Sequence, residues 1–549
     1  MQSSIFRRKR LAKFAFHTQH LLTIGGMKTF VQSLIDYGTQ GLIVRIECHM
    51  TNSLPNIIVV GFANRAIDEA RERVRGAFAS TGLKMPRKRI IVNLAPADIP
   101  KDSSSFDLPI AAAILLNTPS LADHPTASLR PLRRDEALMG ELGLDGSVRP
   151  VRGIIGKILA GRRHDITTFY IPLGNLEQAR LIPNVTLVPL ANLSDLVGIL
   201  SADDSAEALT DLPITNTLHE VAHAADTWTL NTVHFADIIG QVQAKRGLEI
   251  AAAGGHNILL SGPPGTGKSM LSRALQSILP PLSVEEMLET THLHSLASKT
   301  YDKIIHERPF RSPHHTASQA AIIGGGTLQR PGEISLAHHG VLFLDELPEF
   351  SRTTIEALRQ PLEDHSITIA RARDSVTYPA HFILAATANP CPCGYYGIGD
   401  GGKPCICGLA QVQLYRSKLS GPILDRIDLY SNVHQVDYAN MLTTAAPTAI
   451  QQDTRVRRER VQQARNIQIG RYHSTDTLNS TMTNRDIARH AHINPEAKQV
   501  LTRAAKSLML SARAYIRTVK VARTIADLDN SADITSHHIT EALQFRWRA

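Results

Sequence analysis

A short apolar strand that runs straight into a glycine-rich loop, and then into a helix, leaves a chain little choice of fold around it. Residues 257 to 269 read Asn-Ile-Leu-Leu-Ser-Gly-Pro-Pro-Gly-Thr-Gly-Lys-Ser. Ile258-Leu259-Leu260 has the length and character of a buried parallel strand, and Met270 to Leu275 follows in a helical pattern. Between them, Gly262, Pro263, Pro264, Gly265, Thr266, Gly267, Lys268 and Ser269 form a G-x-x-x-x-G-K-S phosphate loop in the context that motif requires. Glycines let such a loop wrap backbone N–H groups around phosphate oxygens, at a helix N-terminus that favours an anion. Lys268 is placed to reach the β- and γ-phosphates of ATP, and the Ser269 hydroxyl to ligate Mg²⁺.

Three downstream segments turn binding into hydrolysis. Gly340 to Leu344 is a buried-strand run ending in Asp345 and Glu346. Asp345 is placed to hold Mg²⁺ through water, and Glu346 to orient and polarise the attacking water. A third strand, Phe382 to Thr387, ends at Asn389, where AAA+ ATPases carry a polar residue that senses the γ-phosphate. Ser420-Gly-Pro-Ile-Leu-Asp-Arg426-Ile-Asp-Leu429 is similar to the arginine-finger segment of the Mg-chelatase and MCM-helicase branch of those ATPases. On that resemblance Arg426 reaches in trans into a neighbouring subunit's site; an ion pair with Asp425 or Asp428 is the competing reading. The same resemblance to AAA+ ATPases implies that Asp237-Ile238-Ile239-Gly240-Gln241, ahead of a helical stretch, packs over the adenine, with Ile238 and Gly240 as its contacts.

At 549 residues the chain is too long for one core. Residues 1–26 form a basic tail without apolar period, expected to be disordered. Residues 27–200 alternate strand-like runs (Gly41–Glu47, Asn56–Gly61, Arg89–Leu94) with helical ones (Ala66–Ser80), an α/β domain. Residues 201–231 read as a polar linker, 232–440 as the ATPase module, and 441–549 as a helical lid. The lid carries seventeen Lys and Arg against nine Asp and Glu, a net +8 of the chain's +9, which suits an anionic partner. No apolar run approaches the roughly 18 residues that span a bilayer, and no signal peptide is present, so a cytoplasmic protein is expected.

Four of the five cysteines cluster as Cys391-Pro-Cys393-Gly and Cys405-Ile-Cys407-Gly around a glycine-rich loop, within an insert at 391–407. Four thiolates suffice for a closed Zn²⁺ site that would staple a loop too polar to hold itself. Ile367 to Tyr378 alternates like a hairpin with Arg371 and Arg373 near its tip. Ring ATPases point such hairpins into a central pore, where arginines meet a phosphate backbone such as DNA; solvated arginines are the equal alternative. Resemblance to the helical lid of AAA+ ATPases implies a γ-phosphate-sensing arginine at the start of a lid helix; Arg513 is the choice, with Arg517 and Arg523 on the same helix as alternatives.

Pro100-Lys-Asp-Ser-Ser-Ser-Phe106 and Gly146 to Gly153 resemble the proteolytic domain of Lon proteases, a ribosomal S5 domain 2-like fold. Ser105 falls at the serine position, but Ile155 occupies the lysine position and cannot act as a base. Lys157 lies two residues on, about 200° around a helix. A Lon-like domain without the catalytic pair is therefore expected. The order of Lon-like domain, AAA+ module with Asn-Pro-Cys-Pro-Cys-Gly, and helical lid resembles the Mg-chelatase-like ComM/YifB family of bacteria. That resemblance implies a homo-hexameric ATPase that moves along DNA and drives branch migration during natural transformation. A metal-chelatase subunit and an ATP-dependent protease are the rival readings.

Overall fold

Ile258–Ser261 enters a five-stranded parallel sheet beside its middle strand, and that position fixes where a ligand can bind. A computed structural model describes residues 30–37, 40–61, 65–97, 104–118, 129–201, 233–297, 304–326, 330–370, 375–397, 403–419, 421–435, 447–475 and 477–546. Across this sheet the strands run Phe310–Arg311, Val341–Leu344, Ile383–Ala388, Ile258–Ser261, Leu429–Asn432, all parallel. Val341–Leu344 and Ile383–Ala388 are buried at every residue, as expected of a sheet covered on both faces. The first strand in sequence pairs with the fourth and the fifth, so strand order reverses there. Doubly wound sheets bind ligands outside the carboxyl ends of their strands at such a point. The phosphate loop leaves from that end.

Besides the antiparallel pair Glu141–Leu142 and Val148–Arg149, the N-terminal region holds two smaller sheets. One has the order Phe30–Tyr37, Gln40–Thr51, Arg89–Ala95, Asn56–Val60, with only the last pair parallel. The other joins Glu136–Leu138, Thr168–Pro172 and Thr186–Leu190 in parallel. The first strand, Phe30–Tyr37, is an addition to the sequence reading. Its Val31, Leu34 and Ile35 are buried, but Gln32 and Ser33 between them break the alternation that marks a strand. Gln40–Thr51 also outlasts the expected Gly41–Glu47, because Arg89–Ala95 pairs with it as far as Thr51.

Ser105 sits fully buried in a 3₁₀ turn ahead of the helix Asp107–Leu116. Ile155, on the helix Ile154–Arg162, is buried in an apolar cluster with Ile154 and Ile158. That cluster also takes in Leu282, Met287 and Leu288 of the nucleotide-binding region. Ile155 therefore sits in a core shared by the two regions. Lys157 is buried too, and its Nζ donates to the Arg152 carbonyl at 2.8 Å.

Helices Pro447–Tyr472, Asn484–His490, Pro495–Ser507, Ala512–Leu528 and Ser536–Gln544 make up the C-terminal region. Val519, Ala522, Ile525, Ile539 and Phe545 join the core of the parallel sheet, which seats these helices against the nucleotide-binding region. No helix among the described residues is long and apolar enough to cross a membrane. The basic tail 1–26 and all but Ser201 of the linker 201–231 lie outside the described residues.

Candidate functional site

Each glycine of the phosphate loop has its own reason. Gly265 and Gly267 have φ of +79° and +86°, and a Cβ at either would meet nothing within 4 Å, so both line open space. Gly262 is there for close approach, since a Cβ would stand 2.2 Å from the Val433 carbonyl oxygen. A loop of this kind can turn its backbone N–H groups onto phosphate oxygens. Thr266 closes it by donating from Oγ1 to the Pro263 carbonyl at 2.9 Å.

Lys268 opens the following helix, Lys268–Ile278, and its ammonium is held at the mouth of the cradle. It donates to the Gly262 and Pro263 carbonyls, each at 2.7 Å, and to Asn389 Oδ1 at 3.0 Å. Burial pulls its pKa down, and Asp345 and Glu346 partly offset that. An ammonium in this position gains from an anionic ligand. Ser269 Oγ donates to Asp345 Oδ2 at 2.9 Å. A hydroxyl and a carboxylate so close are the hard oxygen donors that Mg²⁺ takes while keeping most of its waters.

Glu346 has φ of +53°, a left-handed conformation uncommon outside glycine. The bend ends the strand Val341–Leu344 and is held by Glu346 N–H donating to Thr387 Oγ1 at 2.8 Å. Asn389 Nδ2 reaches Glu346 Oε1 at 3.3 Å, so Asn389 bridges the lysine and the acid. Thr387 was not singled out in the sequence. Its hydroxyl also donates to Asp345 Oδ1 at 2.6 Å, fixing the metal-side carboxylate from the far side. The available signal was a hydroxyl closing an otherwise apolar strand, two residues before the sensor. The structure thus brings together Lys268, Ser269, Asp345, Glu346 and Asn389.

Ile238 is buried in the same core as Leu271 and Ala274 of the phosphate-loop helix, and its carbonyl accepts from Lys245 Nζ. Gly240 has φ of +67°, and Gln241 Nε2 donates to the His434 carbonyl at 2.5 Å, beside the Val433 that backs Gly262. The segment therefore flanks the loop.

Arg426 does not join the cradle of its own chain. It precedes the strand Leu429–Asn432, which is in register with Ile258–Ser261, and its carbonyl accepts from Asn257 Nδ2 at 3.0 Å. The arginine thus lies at the amino edge of the sheet, and the phosphate loop at the carboxyl edge. Its guanidinium pairs with Glu363 at 2.6 Å and donates to the Pro422 carbonyl at 2.6 Å. The partner is neither Asp425 nor Asp428, the two considered from sequence. Arg426 and Glu363 line a cavity of about 310 Å³ together with Asn257, His365, Arg517 and Lys520.

Arg513 is exposed in the first turn of Ala512–Leu528. Arg517 pairs with Asp428 at 3.4 Å. Arg523 is fully buried and spent on Asp527 and the Ser531 and Ala532 carbonyls, which removes it as a nucleotide contact. Strands Ser366–Ala370 and Ser375–Pro379 pair antiparallel, so the expected hairpin exists; Arg371 and Arg373 at its tip lie outside the described residues.

Cys391, Cys393, Cys405 and Cys407 offer sulfurs that all lie within 4.8 Å of one another, with no disulfide among them. Cys391 Sγ is 3.3 Å from Cys393 and 3.7 Å from Cys405, and Cys393 is 3.5 Å from Cys405. Sulfurs about 2.3 Å from a tetrahedral Zn²⁺ stand ~3.8 Å apart, so the set fits that ion.

Sequence profiles for "Subunit ChlI of Mg-chelatase", "Magnesium chelatase, subunit ChlI" and "Magnesium chelatase, subunit ChlI C-terminal" match residues 46–175, 234–441 and 451–546. The competence protein ComM of Haemophilus influenzae is 40% identical over 94% of this chain and 97% of its own. YifB of Salmonella typhimurium is 40% identical over 92% and 94%. The chain belongs to the ComM/YifB family of Mg-chelatase-like proteins. A Lon protease 2 of Herpetosiphon aurantiacus is 30% identical over 26% of this chain and 17% of its own. ComM/YifB proteins are AAA+ ATPases by family, and the Lys268–Asp345–Glu346–Asn389 constellation is the part of the chain that would hold ATP and Mg²⁺.

Proposed function

We propose that this protein is a ring-forming, ATP-driven DNA motor that promotes branch migration of recombination intermediates during natural transformation. The separation of Arg426 from its own phosphate loop carries the ring: an arginine at the amino edge of the sheet serves a nucleotide only if the nucleotide belongs to a neighbour. A homo-hexamer is the assembly this favours, with Glu346 orienting water, Asn389 and Arg513 sensing the γ-phosphate, and Arg426 supplied in trans. DNA as the load is supported by the net +8 of the C-terminal region, by the hairpin that carries Arg371 and Arg373, and by the name of the competence protein among the relatives. The N-terminal domain is read as Lon-like without peptidase chemistry, and the cysteine set as a structural Zn²⁺ site. The place of work is the cytoplasm.

A metal-chelatase subunit is the second reading, favoured by the names of the three matching profiles. ATP turnover measured without DNA and with forked, three-strand and single-stranded DNA separates the two. Stimulation of several-fold by at least one DNA supports the motor; four equal rates sink it. For zinc, purified protein should carry one Zn²⁺ per chain by atomic emission, and a Cys391→Ser, Cys405→Ser variant none. Equal metal content in the two would discard the site.

A further inference from the structure

The cysteine knot touches the phosphate loop. Gly394, next after Cys393, has φ of +86°, and a Cβ built there would stand 2.5 Å from Pro264 Cδ and 3.1 Å from its Cγ. Pro264 belongs to the loop that would cradle the phosphates. On the other side of the knot, Cys391 follows Asn389 by two residues, and Asn389 is the side chain that spans Lys268 and Glu346. The stretch between is tied down locally. Arg416 donates from Nε to the Pro390 carbonyl at 3.4 Å, its guanidinium lies 5.1 Å over the Tyr396 ring, and Tyr396 N–H donates to Cys391 Sγ at 3.3 Å.

We propose that this four-thiolate knot is a positioning element of the ATP site, which fixes Asn389 between Lys268 and Glu346 and backs the phosphate loop through the Gly394–Pro264 contact. The proposal rests on the Zn²⁺ reading of the cysteines and is independent of DNA. The physical reason lies in the composition of the loop. Gly394, Gly397, Gly399, Gly401 and Gly402 leave it few side chains with which to hold a shape, and a metal bound by all four cysteines would staple its two ends together. Nucleotide affinity is carried by the loop N–H groups, Lys268 and Ser269, none of which the knot supplies. Turnover depends on where Asn389 and Glu346 stand relative to the attacking water, and a misplacement of about 1 Å costs on the order of 10² in rate. Losing the metal therefore lowers kcat and leaves nucleotide binding nearly intact.

The test uses full-length protein without DNA, and reads zinc content, affinity for a fluorescent ATP analogue, kcat and KM, and thermal melting. A Cys393→Ser, Cys405→Ser variant should hold no zinc, bind the analogue within about threefold of the parent, and turn over on the order of 10² more slowly. Gly394→Ala should keep its zinc and lose about tenfold in kcat, since its Cβ adds a clash with Pro264 to the backbone strain at a φ of +86°. Adding Pro264→Ala to Gly394→Ala removes the atoms in the way and should recover part of that loss, which a merely structural role would not produce. A zinc-free variant with the parent's kcat and KM overturns the proposal. So does a Gly394→Ala loss that Pro264→Ala leaves untouched. Parent protein without zinc, alongside the expected Gly394→Ala and double-variant results, would instead remove the metal and leave the contact.

Discussion

Arg426→Ala is expected to lower ATP turnover by roughly 10³-fold while nucleotide still binds, the size of effect seen when a transition-state arginine is removed from related phosphoryl transfers. The expectation follows from placement. Within one chain the guanidinium is parked on Glu363 at 2.6 Å, at the edge of the sheet away from Lys268. That ion pair is half exposed on the Glu363 side and contributes little by itself, so its loss should barely move the melting temperature. A complementation experiment separates a trans finger from a local strut. Arg426→Ala chains have intact phosphate loops, and Lys268→Ala chains have intact arginines. Mixed together, they create interfaces at which both are present, and turnover should rise well above that of either variant alone. A mixture no faster than its components, or normal turnover by Arg426→Ala itself, sinks the assignment.

Lys268→Ala should do the opposite to binding. The side chain is the ammonium at the mouth of the cradle, and its removal also takes a donor from the Gly262 carbonyl and Asn389 Oδ1, while the Pro263 carbonyl keeps Thr266 Oγ1. By analogy with the loss of a preorganised charge donor, turnover should fall by on the order of 10² to 10³ or beyond detection. Affinity for ATP should fall with it. Because a ligand stabilises the state it binds by RT ln(1 + [L]/Kd), thermal melting distinguishes the two variants. ATP with Mg²⁺ should raise the melting temperature of the parent and of Arg426→Ala, and leave Lys268→Ala unmoved. An unchanged ATP-dependent rise in Lys268→Ala would mean that the triphosphate is held elsewhere.

Much of this site could be read from the chain because its parts announce themselves locally. Gly262 to Ser269, the apolar run into Asp345 and Glu346, and the strand into Asn389 each carry strand, loop and chemistry in fewer than fifteen consecutive residues. What escaped was fixed by contacts distant in sequence. Thr387 matters only because its strand pairs with Val341–Leu344 and so brings the hydroxyl to Asp345. Glu363 was invisible as the partner of Arg426, since nothing in the spacing selects it over Asp425 or Asp428. The contact between Gly394 and Pro264 is a matter of tertiary approach. Phe30–Tyr37 was missed because two polar residues sit among its buried ones and the pairing with Gln40–Thr51 overrides that local pattern.

The apolar cluster around Ile155 bears on how this chain can be divided. Ile154, Ile155 and Ile158 of the N-terminal region and Leu282, Met287 and Leu288 of the nucleotide-binding region are buried in that one cluster. Burying an aliphatic side chain of this size contributes about 1.5–3 kcal/mol relative to exposure, so whatever share of that burial falls across the seam favours keeping the two regions together. Severed near residue 220, the two halves would each show that patch to water. They would then behave as sticky fragments, and melting of the intact chain should couple them into one cooperative event. Ile155, buried in that shared cluster, thereby ties the stability of the N-terminal region to that of the nucleotide-binding region.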